Sequence, residues 1–298
     1  MGKELAALYP VARHTFQEAD EALGFALSHL CFDGPAEKLR MTENTQPAVL
    51  TVSVAAARVL QEKGVVPQFV AGHSLGEYSA HVAAGTLEFA DAVRIVRNRG
   101  QYMQEAVPEG EGAMAAVLGM AIDELRKVCS EAAEGEVVQP ANINSPDQIV
   151  ISGATGAVER AAALAKERGA KRAIMLDVSA PFHCALMQPA QERLARDLQA
   201  VPFSKPEVPV ICNIDAGPRT TGEAYREALV RQVTGTVEWL GCVGKLIDLG
   251  ATSFIEVGPG KVLTGLMRQI DRAQTALNVE DESSLQKVTN LFAAAARD

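Results

Sequence analysis

The chain has 298 residues and a formal net charge of −9, with a pI near 5.2; 48% of its residues are hydrophobic and 22% charged. That length accommodates one large domain or two smaller ones, and the acidity argues against nucleic acid as the main partner, because phosphate binding needs a basic face. No apolar run reaches the roughly 18 residues of a membrane helix, the opening MGKELAALYPVARHTF lacks a signal-peptide core, and Ala6 stands where a myristoylation signal wants Ser or Thr.

Residues 47–63 predict a helix, with Pro47 in its first turn and Gly64 at its end. Residues 65–72 predict a short buried strand that runs into the turn around Ser74. Helices are expected at 75–84 and 89–107, with a break at 85–88. The pattern then reads strand (112–120), amphipathic helix (121–135), strand (148–153), helix (157–169) and strand (172–180), with a further strand near 137–142. That alternation predicts a small α+β subdomain inserted in a larger α/β one. A helix (184–200), a strand (208–214), helices at 222–234 and 237–249, and a strand–turn–helix over 253–270 complete the reading. The turn in EVGPGKVLTG fails as a phosphate loop: no Gly lies five residues before Gly260, and Val262 replaces the required Ser or Thr. The five cysteines, Cys31, Cys129, Cys184, Cys212 and Cys242, include no C-x-x-C pair. No metal site or disulfide framework is expected, and a reduced, cytoplasmic compartment fits.

Three residues carry candidate chemistry. Ser74 lies in AGHSLGEYSA, a G-x-S-x-G arrangement between a predicted strand and a predicted helix. This is the setting of a nucleophile elbow, with Gly72 and Gly76 both expected where backbone passes too close for a Cβ. The competing reading is a helix N-cap, with Glu77 closing an S-x-x-E capping box. A serine nucleophile needs a base. His14, His29, His73 and His81 are poorly placed, whereas His183, in SAPFHCALM, follows a predicted strand at a helix start; a local structural hydrogen bond is the alternative. Arg99 leans towards the apolar stripe of its helix, between Val96 and Met103, without an acid at helical spacing. Either it snorkels or a ligand carboxylate is its partner.

The stretches TQPAVLTVSVA, AGHSLGEYSA, FADAVRIVRNRGQYMQEAVPEGEGAMAAV, NINSPDQIVISG, GAKRAIMLDVSAPFHCALM, ALVRQ and FIEVGPGKVLTGL, in this order, resemble the bacterial malonyl-CoA:acyl-carrier-protein transacylases. The resemblance implies an α/β fold: a large domain (1–110 and 179–298) with a short parallel sheet flanked by helices, an α/β-hydrolase-like core, plus an inserted ferredoxin-like subdomain (111–178). It implies Ser74 as the acylated nucleophile and His183 as its base. It implies Arg99 as the grip on the malonyl carboxylate, and the Gln232 main-chain carbonyl in place of a triad acid. Leu75 would give one oxyanion-hole N–H, Phe182 would crowd a branched acyl group, and Met103 would line the substrate site.

The partners implied are malonyl-CoA and an acidic acyl carrier protein, docked on a basic patch. Lys171 and Arg172, with Lys166 and Arg168, are the first candidates; Arg94 and Arg97 form a second. No cofactor and a monomer are expected. One departure stands out: the sequence opens at MGKELAALYP, where the family's first strand and its P-G-Q-G-S-Q motif have ended. The expectation is an internal methionine standing first, or a trimmed chain, with one oxyanion donor missing. The competing functions are a thioesterase or esterase of the α/β-hydrolase type, and a carrier-protein-binding module without catalysis.

Overall fold

The computed structural model describes residues 1–295. The chain opens with α1 (Lys3–Leu8), α2 (Pro10–Leu23), α3 (Leu27–Asp33), α4 (Ala36–Arg40) and the long α5 (Thr42–Glu62). Next come β1 (Val70–Ala71), α6 (Gly76–Ala83), α7 (Phe89–Glu105), β2 (Gly112–Leu118), α8 (Ile122–Ala132), β3 (Val138–Ser145), β4 (Gln148–Ala154), α9 (Thr155–Glu167) and β5 (Arg172–Met175). A 3-10 turn at Ala185–Met187 leads to α10 (Gln188–Gln199), β6 (Val210–Ile211), α11 (Gly222–Gln232), α12 (Trp239–Asp248), β7 (Ser253–Val257), α13 (Val262–Ile270), β8 (Thr275–Val279) and α14 (Glu282–Ala295). The residues group into two units: Met1–Gly100 with Phe203–Val210 and Leu246 onward, and Gln101–Pro202 with Ile211–Lys245.

In the first unit, α5 is the central helix. Its small and apolar residues Ala48, Leu50, Val52, Ala55, Ala56 and Val59 are all buried, as expected of a helix covered on most sides, and α2 packs along it. Pro47 lies inside α5 and not in its first turn, which corrects the expected start. Proline has no N–H to give the Glu43 carbonyl one turn back, and Arg97 Nη1 approaches that oxygen instead, at 3.5 Å. Helix α7 meets the start of α5 at Gly100, where a Cβ would stand 2.5 Å from the Thr42 carbonyl oxygen. Glycine there permits the close approach of the two backbones. Strands β7 and β8 pair in parallel, Ser253 with Thr275 through Val257 with Val279. The Glu256 carboxylate then accepts the Leu263 and Thr264 N–H groups at 3.0 and 2.7 Å. The anion seat at the start of α13 is filled from within, so this turn is no phosphate loop.

In the second unit, β2-α8-β3-β4-α9-β5 builds a four-stranded antiparallel sheet of order β3-β4-β2-β5. This is the ferredoxin-like arrangement, and the segment 111–178 contains all of it. The strands alternate as a pleat requires. Ala115 and Val117 pack with Leu125, Val128, Val158 and Ala161 of α8 and α9. Met114 and Ala116 face the other way, with Ala141, Val150, Leu176 and Phe182.

Several elements differ from expectation. The strand expected over 65–72 is only Val70–Ala71, because Pro67 cannot join a ladder; its Val70 N–H donates to the Pro209 carbonyl at 3.0 Å. The strand expected to run to 180 stops at Met175, where the Val178 N–H turns back onto the Leu176 carbonyl. β8 and α14 were not anticipated; the polar residues of AQTALNVEDESSLQ break up the apolar pattern.

Candidate active site

Ser74 sits between β1 and α6 with φ 51°, the left-handed region. A non-glycine residue there costs on the order of 1–3 kcal/mol and clusters at functional sites. Gly72 makes the turn possible: a Cβ on it would overlap the Gly76 carbonyl group and lie 2.5 Å from the Glu77 nitrogen. The expectation for Gly76 does not hold, since a Cβ at that position would meet nothing within 4 Å. The capping-box alternative also fails. Leu75, in helical conformation, is the N-cap, and no side chain caps α6. The Leu75 N–H makes no hydrogen bond within the described residues, at the positive end of the helix.

Arg99 is 2% exposed, so it does not snorkel. Its Nη1 donates to Gln46 Oε1 at 2.7 Å, and its Nη2 to Ser74 Oγ at 3.1 Å. The guanidinium carbon lies 5.5 Å from the centre of the Tyr78 ring. Burial lowers the Arg99 pKa, while Tyr78 and the fully buried Glu77 pull it back up; the guanidinium remains a cation. Tyr78, also buried, is pushed up to about 12 and stays neutral. The helix crossing at Gly100 and the elbow after β1 thus bring a buried cation to the serine. The sequence singled out Arg99 but not its neighbours Gln46 and Tyr78, and it offered Glu77 only as a capping residue.

His183 lies in the second unit. It too is left-handed, with φ 58°, and it is 2% exposed. Its Nδ1 lies 2.9 Å from the Gln232 carbonyl oxygen. A carbonyl only accepts, so Nδ1 carries the proton and Nε2 keeps its lone pair. Gln232 is the last residue of α11, where carbonyls lack intrahelical partners. The accepting oxygen thus lies at the partly negative end of α11. No carboxylate is needed for this orientation.

The other expected residues are also placed. Phe182 is half-buried and packs against the Met114, Ala116, Ala141 and Val150 cluster. Met103 is buried in α7, one turn beyond Arg99. Lys171 is paired with Asp147 at 3.1 Å on the surface, and Arg168 with Glu131 and Glu124, so two of the four cations of the first basic patch are ion-paired. Arg172 is exposed on β5 and takes part in no ion pair among the described residues. In the second patch, Arg94 pairs with Asp91, and Arg97 with Asn44 and Glu43. Among the described residues no group of His, Cys, Asp and Glu could hold a metal, and no helix is long and apolar enough to cross a membrane.

The chain also matches known proteins along nearly its whole length. The acyl transferase domain family matches residues 1–290. The malonyl CoA-acyl carrier protein transacylase of Escherichia coli (strain K12) is 52% identical over 289 residues, covering 97% of this chain and 94% of its own. The structure of an acyl carrier protein S-malonyltransferase from Vibrio cholerae O1 biovar eltor superposes with a TM-score of 0.95 at 49% identity, over 97% of this chain and 94% of that one. A malonyl-transacylase solved in complex with its type II PKS acyl-carrier protein gives a TM-score of 0.95 at 47% identity, again over 97% and 94%. Half the residues are shared along nearly the whole length of both chains, and the chain belongs to the malonyl-CoA:acyl-carrier-protein transacylase family of acyltransferases.

Proposed function

We propose that the chain transfers the malonyl group of malonyl-CoA to the phosphopantetheine thiol of acyl carrier protein, through a malonyl ester on Ser74, in cytoplasmic fatty acid biosynthesis. The observation that carries this reading is the buried Arg99 Nη2, 3.1 Å from Ser74 Oγ. A malonyl group on that oxygen puts its free carboxylate three bonds away, beside a cation whose planar donors suit a carboxylate.

The reaction runs in two halves. His183 Nε2 takes the Ser74 proton as Oγ attacks the thioester carbon. The Leu75 N–H stabilises the oxyanion, and the imidazolium is held by the Gln232 carbonyl. Collapse expels the CoA thiolate, which recovers the proton from His183. The carrier thiol then gives its proton to His183 and attacks the ester carbon; as the ester bond breaks, Ser74 Oγ takes that proton back from His183. Phe182 and Met103 shape the acyl end of the site. Carrier docking rests mainly on Arg172, since Lys171 already has Asp147.

The test is intact-mass spectrometry after brief mixing with malonyl-CoA. A gain of one malonyl group, absent in Ser74→Ala and slow in His183→Ala, is expected; added phosphopantetheine thiol then discharges it. Release of malonate to water at the same rate with no thiol present would instead identify a thioesterase.

A further inference from the structure

We infer that Gln139 is a positioning residue that fixes His183 and its carbonyl partner relative to each other. The inference rests on His183 acting as the base of Ser74 acylation. Gln139 is half-buried on β3, the edge strand of the four-stranded sheet. Its amide reaches both segments of the His183–Gln232 pair. Oε1 accepts the Ala185 N–H at 3.2 Å. Nε2 donates to the His183 carbonyl at 3.5 Å and to the Thr234 carbonyl at 3.4 Å.

One side chain thus holds the backbone at and just after the left-handed histidine and ties it to the residues just past Gln232. Only this orientation of the amide works, because the reverse would set its oxygen against two carbonyls and its nitrogen against an N–H. Asparagine is one methylene shorter, and glutamate can accept but not donate.

The same strand fixes the other half of the pair. The Val237 N–H donates to the Ala141 carbonyl at 2.8 Å, and the Ile143 N–H to the Val237 carbonyl at 2.9 Å. Thr236 Oγ1 donates to the Pro140 carbonyl at 2.8 Å. The chain leaving α11 is therefore pinned to β3, and Gln139 transmits that fixed point to His183. Without the amide, the imidazole keeps its acceptor but loses the anchoring of its own backbone. The cost falls on proton transfer from Ser74, which depends on alignment, and not on capture of malonyl-CoA.

The experiment is single-turnover acylation by malonyl-CoA, read by rapid quench and intact mass, in Gln139→Met and Gln139→Glu. Rates are taken per folded molecule from near-UV circular dichroism. Methionine fills the space without hydrogen bonds; glutamate keeps the Ala185 bond but confronts two carbonyls. Both variants are expected to lose about tenfold in the maximal acylation rate, with the half-saturating malonyl-CoA concentration unchanged within about twofold. Wild-type rates in both variants overturn the inference. So does a wild-type rate in Gln139→Met alone, which would leave only space filling, or a loss confined to the half-saturating concentration. His183→Ala is run beside them. If that variant acylates normally, the base assignment has failed, and the failure is separate from that of Gln139.

Discussion

Ser74 and His183 share a backbone conformation that neither side chain favours, with φ at 51° and 58°. Each is held there by surroundings that impose it: the Gly72 turn for the serine, the Gln139 amide and the Gln232 carbonyl for the histidine. Glycine adopts this region without a Cβ penalty. Ser74→Gly should therefore be more stable than Ser74→Ala, and His183→Gly than His183→Ala, by about 1 kcal/mol each, while all four lose acylation. Urea midpoints decide it; equal midpoints within a pair would mean that the conformation carries no strain.

The two glycines flanking Ser74 should behave differently. Gly72→Ala forces a Cβ into the Gly76 peptide, so the elbow cannot close, and a loss of several kcal/mol or of soluble folded protein is expected. Gly76→Ala enters open space at the start of α6 and should stabilise by up to about 1 kcal/mol. Thermal melts of the two variants test the contrast, which reverses if Gly76 is the crowded position.

Arg99→Ala should separate substrates. A charge-assisted hydrogen bond is worth roughly 1.5–3 kcal/mol, so malonyl transfer should fall on the order of 10- to 100-fold while acetyl transfer, which never used that bond, falls less. Gln46→Leu, which removes the Nη1 acceptor, should shift the same ratio in the same direction by a smaller factor. Competition between the two thioesters, read as relative kcat/KM, is the measurement. Equal losses for both would assign Arg99 to folding alone.

The fold keeps His81 neutral. It is fully buried, and desolvation lowers its pKa from 6.5 to about 3. The unfolded chain takes up this proton below pH 6.5, and the folded chain only near pH 3. The stability that His81 contributes is therefore complete above pH 6.5 and is lost as pH falls from there towards 3. His81→Leu should flatten the acid side of a plot of urea midpoint against pH over that window, whatever its effect on the absolute midpoint. An unchanged slope would show that other groups set the acid limit.

What the sequence made legible was local or tied to an anomaly. The elbow around Ser74 could be read because a strand, a turn and a helix are contiguous. Arg99 stood out because a charge on an apolar stripe demands a partner. That partner set could not be read: Gln46 lies 53 residues away and meets Arg99 only because Gly100 lets two helices touch. Gln139 escapes for a similar reason, since it acts through its amide across a sheet edge, and Gln232 was reached only through the family resemblance, since it acts through main-chain atoms that every residue possesses. Pro47 misled because its lost hydrogen bond has a substitute in Arg97, which no local rule anticipates. The existence of β8 is set by its pairing with β7, which is a property of two segments and not of one.

The acceptor that orients His183 is a peptide oxygen at a helix end, and this makes it heritable in an unusual way. No codon specifies it, so no single missense change deletes it, and Gln232 can vary while the acceptor persists. Nor can it take up a proton at acidic pH, as a carboxylate would. Mutational scans of this chain should then find the expected gap at Ser74 and His183 but no comparable gap at Gln232, the residue that supplies the orienting oxygen. The vulnerability spreads instead over whatever shifts the end of α11.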